Sequence, residues 1–405
     1  MQVFSRIALW ACALALGCGE GGSSYEGQSG QPVEVRLFGD VPSVAASFGE
    51  SRDVPLLIDV GSPLTVLSQR SFTDLFPGTF RGVLSTFALR FRDFHVAVER
   101  DLFGAPGVCA EGTPGGLVGM DLLRPFRLAV DHRAGRATLF DGPRPDPMSQ
   151  QGVEPAQELP FELRGGGSVN IGGQQRLVGA TRVVVAATIE GVSTHAVVDS
   201  GASLTLLDGQ LFGQLSSDRP VACCTTLFLA EAGEKRVVLT RLARLGLGDV
   251  QIEQVPAAVL PNGLLTSSLA TETGRQIGAI IGGSALRLFA SHLDFEERRW
   301  TLQRYTDATH VDPLEYVLPG FSVCKGAAAQ QGFIVTEVYE QTDAAAQGVQ
   351  SGEIVIALSG QDVRGLEVRE FMDLLHQTDV GQKVSLTFRT DSGEVTRELM
   401  MEQLL

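Results

Sequence analysis

The sequence predicts a mostly β protein with two barrel-like lobes related by a pseudo-twofold axis, followed by a small α+β domain. Two observations support this class. A pair of landmarks occurs twice in the same order, and the pattern changes after Tyr305. The composition agrees, because 405 residues with 47 Gly and 18 Pro suit turn-rich β structure with full cores.

The first landmark is an Asp-containing phrase. Residues 56–68 read LLIDVGSPLTVLS, and residues 196–208 read AVVDSGASLTLLD. In both, two apolar residues lead into an Asp, a Gly follows two residues later, and a Leu-Thr phrase comes next. Each copy therefore predicts a strand that ends at a sharp Asp-x-Gly turn and a second strand that returns from it.

The second landmark follows each Asp at a distance. Residues 117–139 read LVGMDLLRPFRLAVDHRAGRATL, and residues 280–302 read IIGGSALRLFASHLDFEERRWTL. They align without a gap from Gly119 and Gly282. The Asp offset is 140 (199 − 59) and the Gly offset is 163 (282 − 119), so the second copy holds 23 more residues. Two landmarks duplicated in one order indicate an internal structural repeat.

The added length in the second repeat contains a predicted hairpin. Residues 225–242 read TTLFLAEAGEKRVVLTRL, with β-prone runs on both sides of a turn at 232–235. The corresponding residues 84–98 of the first repeat predict no equivalent long hairpin.

Two Asp side chains delivered by related repeats can lie side by side on the symmetry axis. Two carboxylates a few Å apart share one proton, because they cannot both ionise easily. The ionised member can then take a proton from water while the protonated member polarises a carbonyl group.

Residues 34–305 therefore resemble the two-lobed, retropepsin-like group of aspartic proteases, on the paired Asp-x-Gly phrases and the paired apolar-apolar-Gly phrases. The resemblance implies a catalytic dyad of Asp59 and Asp199. It also implies that four neighbours support the dyad: Gly61, Ser62, Ser200 and Gly201. It implies that the long hairpin is a flap over a peptide or polypeptide substrate. Water is the nucleophile in this mechanism, so no cofactor and no metal are implied, and one chain with both half-sites predicts a monomer.

The chain departs from the family at the residue after the first Asp. Thr is usual there, and its hydroxyl bonds to the other lobe. Ser200 keeps a hydroxyl, whereas Val60 has none. Ser62 is expected to hydrogen-bond Asp59, which Ala202 cannot do for Asp199. Three interpretations stay open: an active peptidase, a peptidase restricted to itself or one partner, and a degenerate lobe pair that binds peptides.

Residues 314–405 resemble a bacterial PDZ domain. The phrase DAAAQGVQSGEIVIALSGQDV at 343–363 is close to that family's signature, and residues 367–376 carry an apolar stripe at helical spacing. The resemblance implies a groove for an extended peptide of unknown sequence. The groove would be lined by Gly320, Phe321, Val323, Phe371 and Leu375. The alternative is that the helical stripe is mostly core.

The N-terminus has the pattern of an export signal. Arg6 precedes an apolar run at 7–16 that is too short to cross a bilayer, and Cys18 follows small residues in a lipobox-like ending. We expect acylation of Cys18 and anchoring to a bacterial cell envelope, with an ordinary secretory signal as the alternative. The lipid would be the only membrane contact.

An exported chain can form disulfides. Cys109, Cys223, Cys224 and Cys324 allow three pairings, and a bond between the adjacent pair is not expected, because a strand points neighbours to opposite faces. The net charge of −15 argues against nucleic acid as a partner.

The predicted domain boundaries follow from these patterns. They are a signal peptide at 1–18, a flexible tether at 19–33, lobe one at 34–143, an interlobe linker at 144–170, lobe two at 171–306 and the PDZ-like domain at 307–405.

Overall fold

The computed structural model shows a chain dominated by β-strands. The described residues are 25–100, 102, 109, 113–142, 152–171, 174–215, 218–229, 233–308, 313–327 and 331–405. None of the helices in these ranges is long and apolar enough to cross a membrane. Cys18 lies outside the described residues, so its acylation stays a prediction.

Lobe one forms because its strands alternate apolar and polar residues. In residues 89–92, Leu89 and Phe91 are buried while Arg90 and Arg92 are exposed. The elements in chain order are β1 (Tyr25–Gly27), β2 (Val33–Phe38), β3 (Val41–Phe48), β4 (Val54–Ile58), β5 (Val66–Ser68), β6 (Gly78–Thr86), β7 (Leu89–Glu99), β8 (Gly116–Val118), α1 (Met120–Leu123), β9 (Arg127–Asp131) and β10 (Arg136–Phe140).

Lobe two repeats this order with additions. Its elements are β11 (Gln157–Pro160), β12 (Glu162–Arg164), β13 (Gly167–Ile171), β14 (Gln174–Val178), β15 (Arg182–Ile189), β16 (Val192–Val198), β17 (Thr205–Asp208), α2 (Gly209–Phe212), β18 (Val221–Leu229), β19 (Gly233–Leu247), β20 (Val250–Leu260), α3 (Leu264–Thr273), β21 (Ile277–Ile281), α4 (Gly283–Leu286), β22 (Phe289–Asp294) and β23 (Arg299–Arg304).

Strand pairing shows which elements of the two lobes are equivalent. In lobe one, β5 pairs parallel with β7 and antiparallel with β8, and β4 pairs parallel with β8. In lobe two, β17 pairs in the same two ways with β20 and β21, and β16 pairs parallel with β21. The pairing of β3 with β6 corresponds to that of β15 with β19. Strand β18 and helix α3 are therefore additions of lobe two.

A sheet between the lobes contains the pseudo-twofold axis. Its strand order is β10-β9-β22-β23-β11, with β9 and β22 antiparallel at the centre. Ala129 pairs with His292, and these positions differ by the same 163 residues (292 − 129) as the two landmark glycines. A residue that faces its own repeat equivalent lies on the axis, which here runs between Ala129 and His292.

The C-terminal domain has a core of its own. Phe333 and Phe371 stack with ring centroids 4.2 Å apart inside it. The elements are a 3₁₀ helix (Pro313–Tyr316), β24 (Val317–Leu318), β25 (Phe321–Lys325), β26 (Phe333–Val338), α5 (Asp343–Ala346), β27 (Ile354–Leu358), β28 (Gln361–Asp362), α6 (Val368–Leu375), β29 (Lys383–Thr390), β30 (Gly393–Met400) and β31 (Glu402–Gln403).

This domain docks on both lobes. A disulfide joins Cys109 to Cys324 of β25. On the other side, Leu318 and Tyr339 share an apolar cluster with Val237 and Leu239 of β19. The C-terminal domain is thus bonded covalently to lobe one and packed on lobe two.

Two predicted boundaries are wrong. Residues 25–33 were expected to be a tether, but Tyr25–Gly27 pairs with β7, and the Tyr25 ring lies 5.3 Å from that of Phe126. Residues 144–170 were expected to be a linker, but β11 and β12 belong to sheets through β23 and β15. Short strands framed by Pro and Gly carry little sequence signal of their own, because pairing with distant strands decides them.

The expectation for lobe one is confirmed, because β18, the first strand of the predicted hairpin, has no counterpart among the described elements of that lobe. Lobe one forms a different long hairpin, β6 with β7, which is the equivalent of β19 with β20. The expected position of the turn in lobe two needs correction. In lobe two, Gly233 lies in β19 opposite Leu229 and Lys235 lies opposite Leu227, so residues 233–235 are strand and not turn. The predicted turn residue Ala232 lies outside the described residues.

The expectation about adjacent cysteines is wrong as well. Cys223 and Cys224 form a disulfide with each other. Neighbouring side chains point to opposite faces only in a regular strand, but the pairing of β18 with β19 shifts register between Cys223 and Thr225. The alternation of side chains is therefore broken at this pair.

Candidate active site

The first candidate carboxylate stands on a turn at the end of β4. The backbone N–H of Asp59 donates to Val118 O of β8 at 3.0 Å, which anchors the turn to the lobe. The N–H groups of Gly61 and Ser62 donate to Asp59 Oδ1 at 2.8 and 2.9 Å. The turn therefore holds the carboxylate through its own backbone.

The second carboxylate is held in the same way at the end of β16. The N–H of Asp199 donates to Ile281 O of β21 at 3.0 Å, and the N–H of Gly201 donates to Asp199 Oδ1 at 2.9 Å. The two turns thus use equivalent bonds to equivalent strands, as the duplicated phrases predict.

The second landmark supports the turns by close backbone contact. A Cβ on Gly119 would lie 2.9 Å from Leu64 N, and a Cβ on Gly282 would lie 2.8 Å from Ala202 O. Neither position has room for a side chain, because the returning chain of the Asp turn occupies that space. The glycine of each apolar-apolar-Gly phrase therefore packs directly against the backbone of its Asp turn.

The Leu-Thr phrase has a supporting role. Thr65 Oγ1 donates to Asp121 Oδ1 at 2.7 Å and accepts from Gly119 N at 3.1 Å. Thr205 occupies the equivalent place in lobe two, where Ser284 Oγ lies 3.2 Å from its Oγ1. Each Thr thereby ties its returning strand to the short helix that follows the landmark glycine.

The two turns interlock across the lobes. A Cβ on Gly61 would lie 2.5 Å from Asp199 Oδ1, and a Cβ on Gly201 would lie 2.5 Å from Asp59 Cγ. Each carboxylate thus lies over the glycine of the opposite turn, and only glycine leaves the space for it. This packing brings Asp59 and Asp199 side by side.

One side chain joins the lobes beneath the pair. Ser200 Oγ donates to Ile58 O at 2.6 Å and accepts from Val60 N at 3.1 Å, and all these atoms are buried. Val60 is 1% exposed and offers no hydroxyl in return. The cross-lobe bonding has one hydroxyl arm, as the sequence predicts.

The expected role of the Ser62 hydroxyl is wrong. Ser62 Oγ donates to Leu64 O at 2.9 Å, and the backbone N–H of Ser62 is the group that bonds Asp59. The same backbone position in lobe two is Ala202, so the loss of a hydroxyl there removes no bond to Asp199.

The electrostatics favour a shared proton. Burial raises the pKa of Asp59 well above its usual value of 3.8, and the adjacent charge and hydrogen bond of Asp199 raise it further. The Gly61 N–H and the Arg182 guanidinium lower the Asp59 pKa, but less. The adjacent carboxyls therefore favour a pair that holds one proton between them.

Arg182 was not found from the sequence. It begins β15, it is 11% exposed, and its guanidinium donates to Gly61 O in the Asp59 turn. The sequence shows Arg182 only as a single charged residue before an apolar run. That pattern is also typical of a residue on the surface.

The hairpin of β18 and β19 contacts the C-terminal domain. Thr226 N donates to Glu337 at 2.9 Å, Arg236 pairs with Glu340, and Glu340 N bonds Cys223 O. The predicted flap is thus in contact with the domain that follows lobe two.

The predicted groove residues of the C-terminal domain do come together. Phe321, Phe371 and Leu375 are buried and line a cavity of about 250 Å³ with Val323. Gly320 has a φ of +86°, which suits the loop before β25. Phe371 and Leu375 also belong to the domain core, as the alternative for the helical stripe expects, and the peptide groove stays a prediction.

The described residues contain one group of Cys, His, Asp and Glu atoms close enough to share a metal: Cys223, Cys224 and Glu340. Both sulfur atoms are in the disulfide, so they offer no thiolate ligand.

A comparison with protein families matches part of lobe two. A family model described as gag-polyprotein putative aspartyl protease matches residues 185–287. No curated protein sequence matches the chain.

Three solved structures are similar over different spans. The aspartic proteinase from Irpex lacteus is 14% identical over 69% of this chain and 99% of that one, with a TM-score of 0.39. A retropepsin-like aspartic protease from Rickettsia conorii is 16% identical over 39% and 97%, with a TM-score of 0.25. An aminopeptidase N family protein from Idiomarina loihiensis is 21% identical over 22% and 14%, with a TM-score of 0.19. The segment around Asp199 is thus similar to the gag-type aspartyl proteases.

Proposed function

We propose that this protein is an aspartic endopeptidase whose dyad is Asp59 and Asp199. The observation that carries the proposal is the interlocking of the two turns, each carboxylate lying over the opposite glycine at Gly61 and Gly201. A turn that merely caps its own backbone needs no partner turn. Two turns from distant segments that fit only as a pair indicate a composite site.

The chemistry follows from where the proton lies. The ionised carboxylate of the pair takes a proton from a water molecule, whose oxygen attacks the peptide carbonyl carbon. The protonated member donates its proton to the carbonyl oxygen, which gives a neutral tetrahedral diol. When the diol collapses, the C–N bond breaks, the amine nitrogen receives the proton that the first carboxylate took from water, and the other carboxylate takes back a proton from a diol hydroxyl. The cycle balances without a covalent enzyme intermediate.

The substrate we propose is an extended peptide or a misfolded polypeptide that lies between the lobes beneath the β18–β19 hairpin. The C-terminal domain would act as a PDZ module that captures a further stretch of the same polypeptide. The cavity beside β25 and α6, with the positive φ of Gly320 before it, supports this role.

We also propose that the protein is exported and anchored by an acyl chain on Cys18. The support is the apolar run that ends in small residues before this cysteine. Mass spectrometry of the mature N-terminus should find a lipid on Cys18; an unmodified N-terminus at another residue would contradict the anchor.

A digest of a peptide library tests the peptidase proposal. Wild type should cut at several mildly acidic pH values, and Asp59→Asn and Asp199→Asn should not, because each removes one carboxylate of the pair. Equal cleavage by all three proteins would end the assignment. Absence of cleavage by wild type, together with retained peptide binding, would favour the degenerate binding protein that Val60 suggests.

A further inference from the structure

Two side chains of lobe two, Arg182 and Glu272, form a chain of bonds that reaches the Asp59 turn. Arg182 at the start of β15 donates through Nη1 to the carbonyl oxygen of Gly61, across the lobe interface. Its Nε donates to Glu272 Oε1 at 2.9 Å. Both side chains are largely buried, at 11% and 26% exposure, so the bonds are protected from water.

The carboxylate in this chain comes from the part of lobe two that lobe one lacks. Glu272 lies in the last turn of α3, and α3 has no counterpart among the described elements of lobe one. Gly165 leaves the space that the Arg182 and Glu272 side chains occupy, since a Cβ on it would lie 2.8 Å from Glu272 Oε1 and 3.2 Å from Arg182 Cγ. The added helix therefore holds Arg182 in the direction of the Asp59 turn.

The position of lobe one that is equivalent to Arg182 holds an apolar residue. Ser43 pairs with Leu57, and Val184 pairs with Val197, where Leu57 and Val197 each lie two residues before the Asp. Ser43 thus corresponds to Val184, and two residues earlier Val41 corresponds to Arg182. Val41 is 4% exposed and packs in an apolar cluster.

We propose that Arg182 is a positioning residue for the dyad: together with Ser200 it fixes the Asp59 turn from lobe two, and its charge makes the two aspartates inequivalent. This inference rests on the proposed function. It also explains how lobe one keeps its turn in place although Val60 has no hydroxyl, because Arg182 bonds the next residue of the same turn.

The positive charge of Arg182 affects the Asp59 pKa in a known direction. The charged groups that act on Asp59 are Asp199, which raises its pKa, and Arg182, which lowers it, while Glu272 faces Arg182. Loss of the guanidinium therefore raises the Asp59 pKa further. Because the proposed mechanism needs the shared proton of the pair, the alkaline limb of the pH–rate profile, where that proton is lost, moves to higher pH.

The test compares Arg182→Met and Arg182→Lys with Arg219→Met. Arg219 is the control because its ion pair with Glu190 also lies in lobe two and is more buried, at 7% and 15% exposure. The first measurement is the carboxyl titration of Asp59 by ¹³C NMR, with its signal assigned by loss in Asp59→Asn. The second is the pH profile of kcat/KM on a peptide from the library digest.

In Arg182→Met, we expect the Asp59 titration and the alkaline limb to rise together by about one pH unit. Arg182→Lys should restore most of the wild-type Asp59 titration, since the positive charge returns. Its kcat should be lower, since the guanidinium that bonds both Gly61 and Glu272 is lost. Arg219→Met should move neither.

An Arg182→Met protein that is folded but has an unchanged Asp59 titration would overturn the inference and leave Arg182 a structural ion pair. If Arg182→Met does not fold, Arg182→Lys is the deciding variant. The inference then expects a lower kcat with an unchanged Asp59 titration, and an unaltered kcat contradicts it. If wild type cuts no peptide, the proposed function fails, while the NMR titration still tests the inference by itself.

Discussion

The two lobes carry the same Asp turn, but they do not support it equally. Both turns are bonded to their own lobes by equivalent backbone contacts, at Val118 O and Ile281 O. Two side chains of lobe two, Ser200 and Arg182, reach across the interface and bond the Asp59 turn. Lobe two also has the added elements β18 and α3.

This difference separates what duplication supplies from what it does not. The duplicated elements build the geometry of the pair, since symmetric turns place symmetric carboxylates. Two carboxylates a few Å apart share one proton even in identical environments, because both cannot ionise easily, but only a difference in environment makes them inequivalent. In the proposed dyad, Arg182 of lobe two provides that difference.

The largest expected effect is the loss of the interlock. Gly61→Ala or Gly201→Ala places a methyl group within about 2.5 Å of the opposite carboxylate, so the turns must separate. We expect a loss of about 3 kcal/mol or more of folding free energy, together with all activity. Gly213→Ala is the control, because the nearest atom to its Cβ is 3.5 Å away. Denaturant melts of the three variants decide, and an equal, small change in all three would contradict the interlock.

The next effect concerns how each lobe holds the C-terminal domain. The Cys109–Cys324 bond closes a separation of 215 residues, so Cys109→Ser/Cys324→Ser should cost about 2–4 kcal/mol of folding free energy. Arg236→Ala, which removes an exposed ion pair to Glu340, should cost under about 1 kcal/mol. Chemical denaturation measures both. Equal losses would show that the covalent tie to lobe one is not the stronger attachment.

A smaller effect tests the single hydroxyl arm. Ser200→Ala leaves Val60 N and Ile58 O without this buried partner and should cost about 1–3 kcal/mol. Val60→Thr should gain about 0.5–1.5 kcal/mol if the equivalent groups of lobe two accept its hydroxyl. Thermal melts and peptide turnover measure both. A Val60→Thr protein that melts lower and cuts no better would show that lobe one is rebuilt around Val60.

The smallest effect is a pH dependence of stability. A carboxyl whose pKa is raised on folding binds more protons in the native state, so stability falls as pH rises from about 3.8 through the raised Asp59 pKa. The melting temperature of wild type minus that of Asp59→Asn should therefore decline over this range. Asp249→Asn, at an exposed carboxyl, is the control. A difference that rises with pH would contradict the raised pKa.

Much of the site was predictable from the sequence because it is written twice. Asp59, Asp199 and the glycines at 61 and 201 follow from two phrases in register, and the structure brings them together. The contributions that occur once were not predictable. Arg182 and Glu272 are 90 residues apart and meet only through the fold, and no second copy marks them.

The wrong expectations about the fold also concern features that depend on distant or local pairing. Residues 25–27 and 157–160 form strands because distant partners pair with them, which short polar segments do not reveal. The bond between Cys223 and Cys224 depends on a local break in strand register, and sequence alternation assumes that no such break exists.

The most direct test of the account is whether the two aspartates act as one unit. The measurement is kcat/KM on one library peptide for wild type, Asp59→Asn, Asp199→Asn and the double variant. The account predicts that each single variant loses about as much as the double one, on the order of 10³-fold or more, because neither carboxylate catalyses without the other. Losses in the single variants that multiply to give the loss in the double variant would show two independent groups, and would contradict a dyad shared by the two lobes.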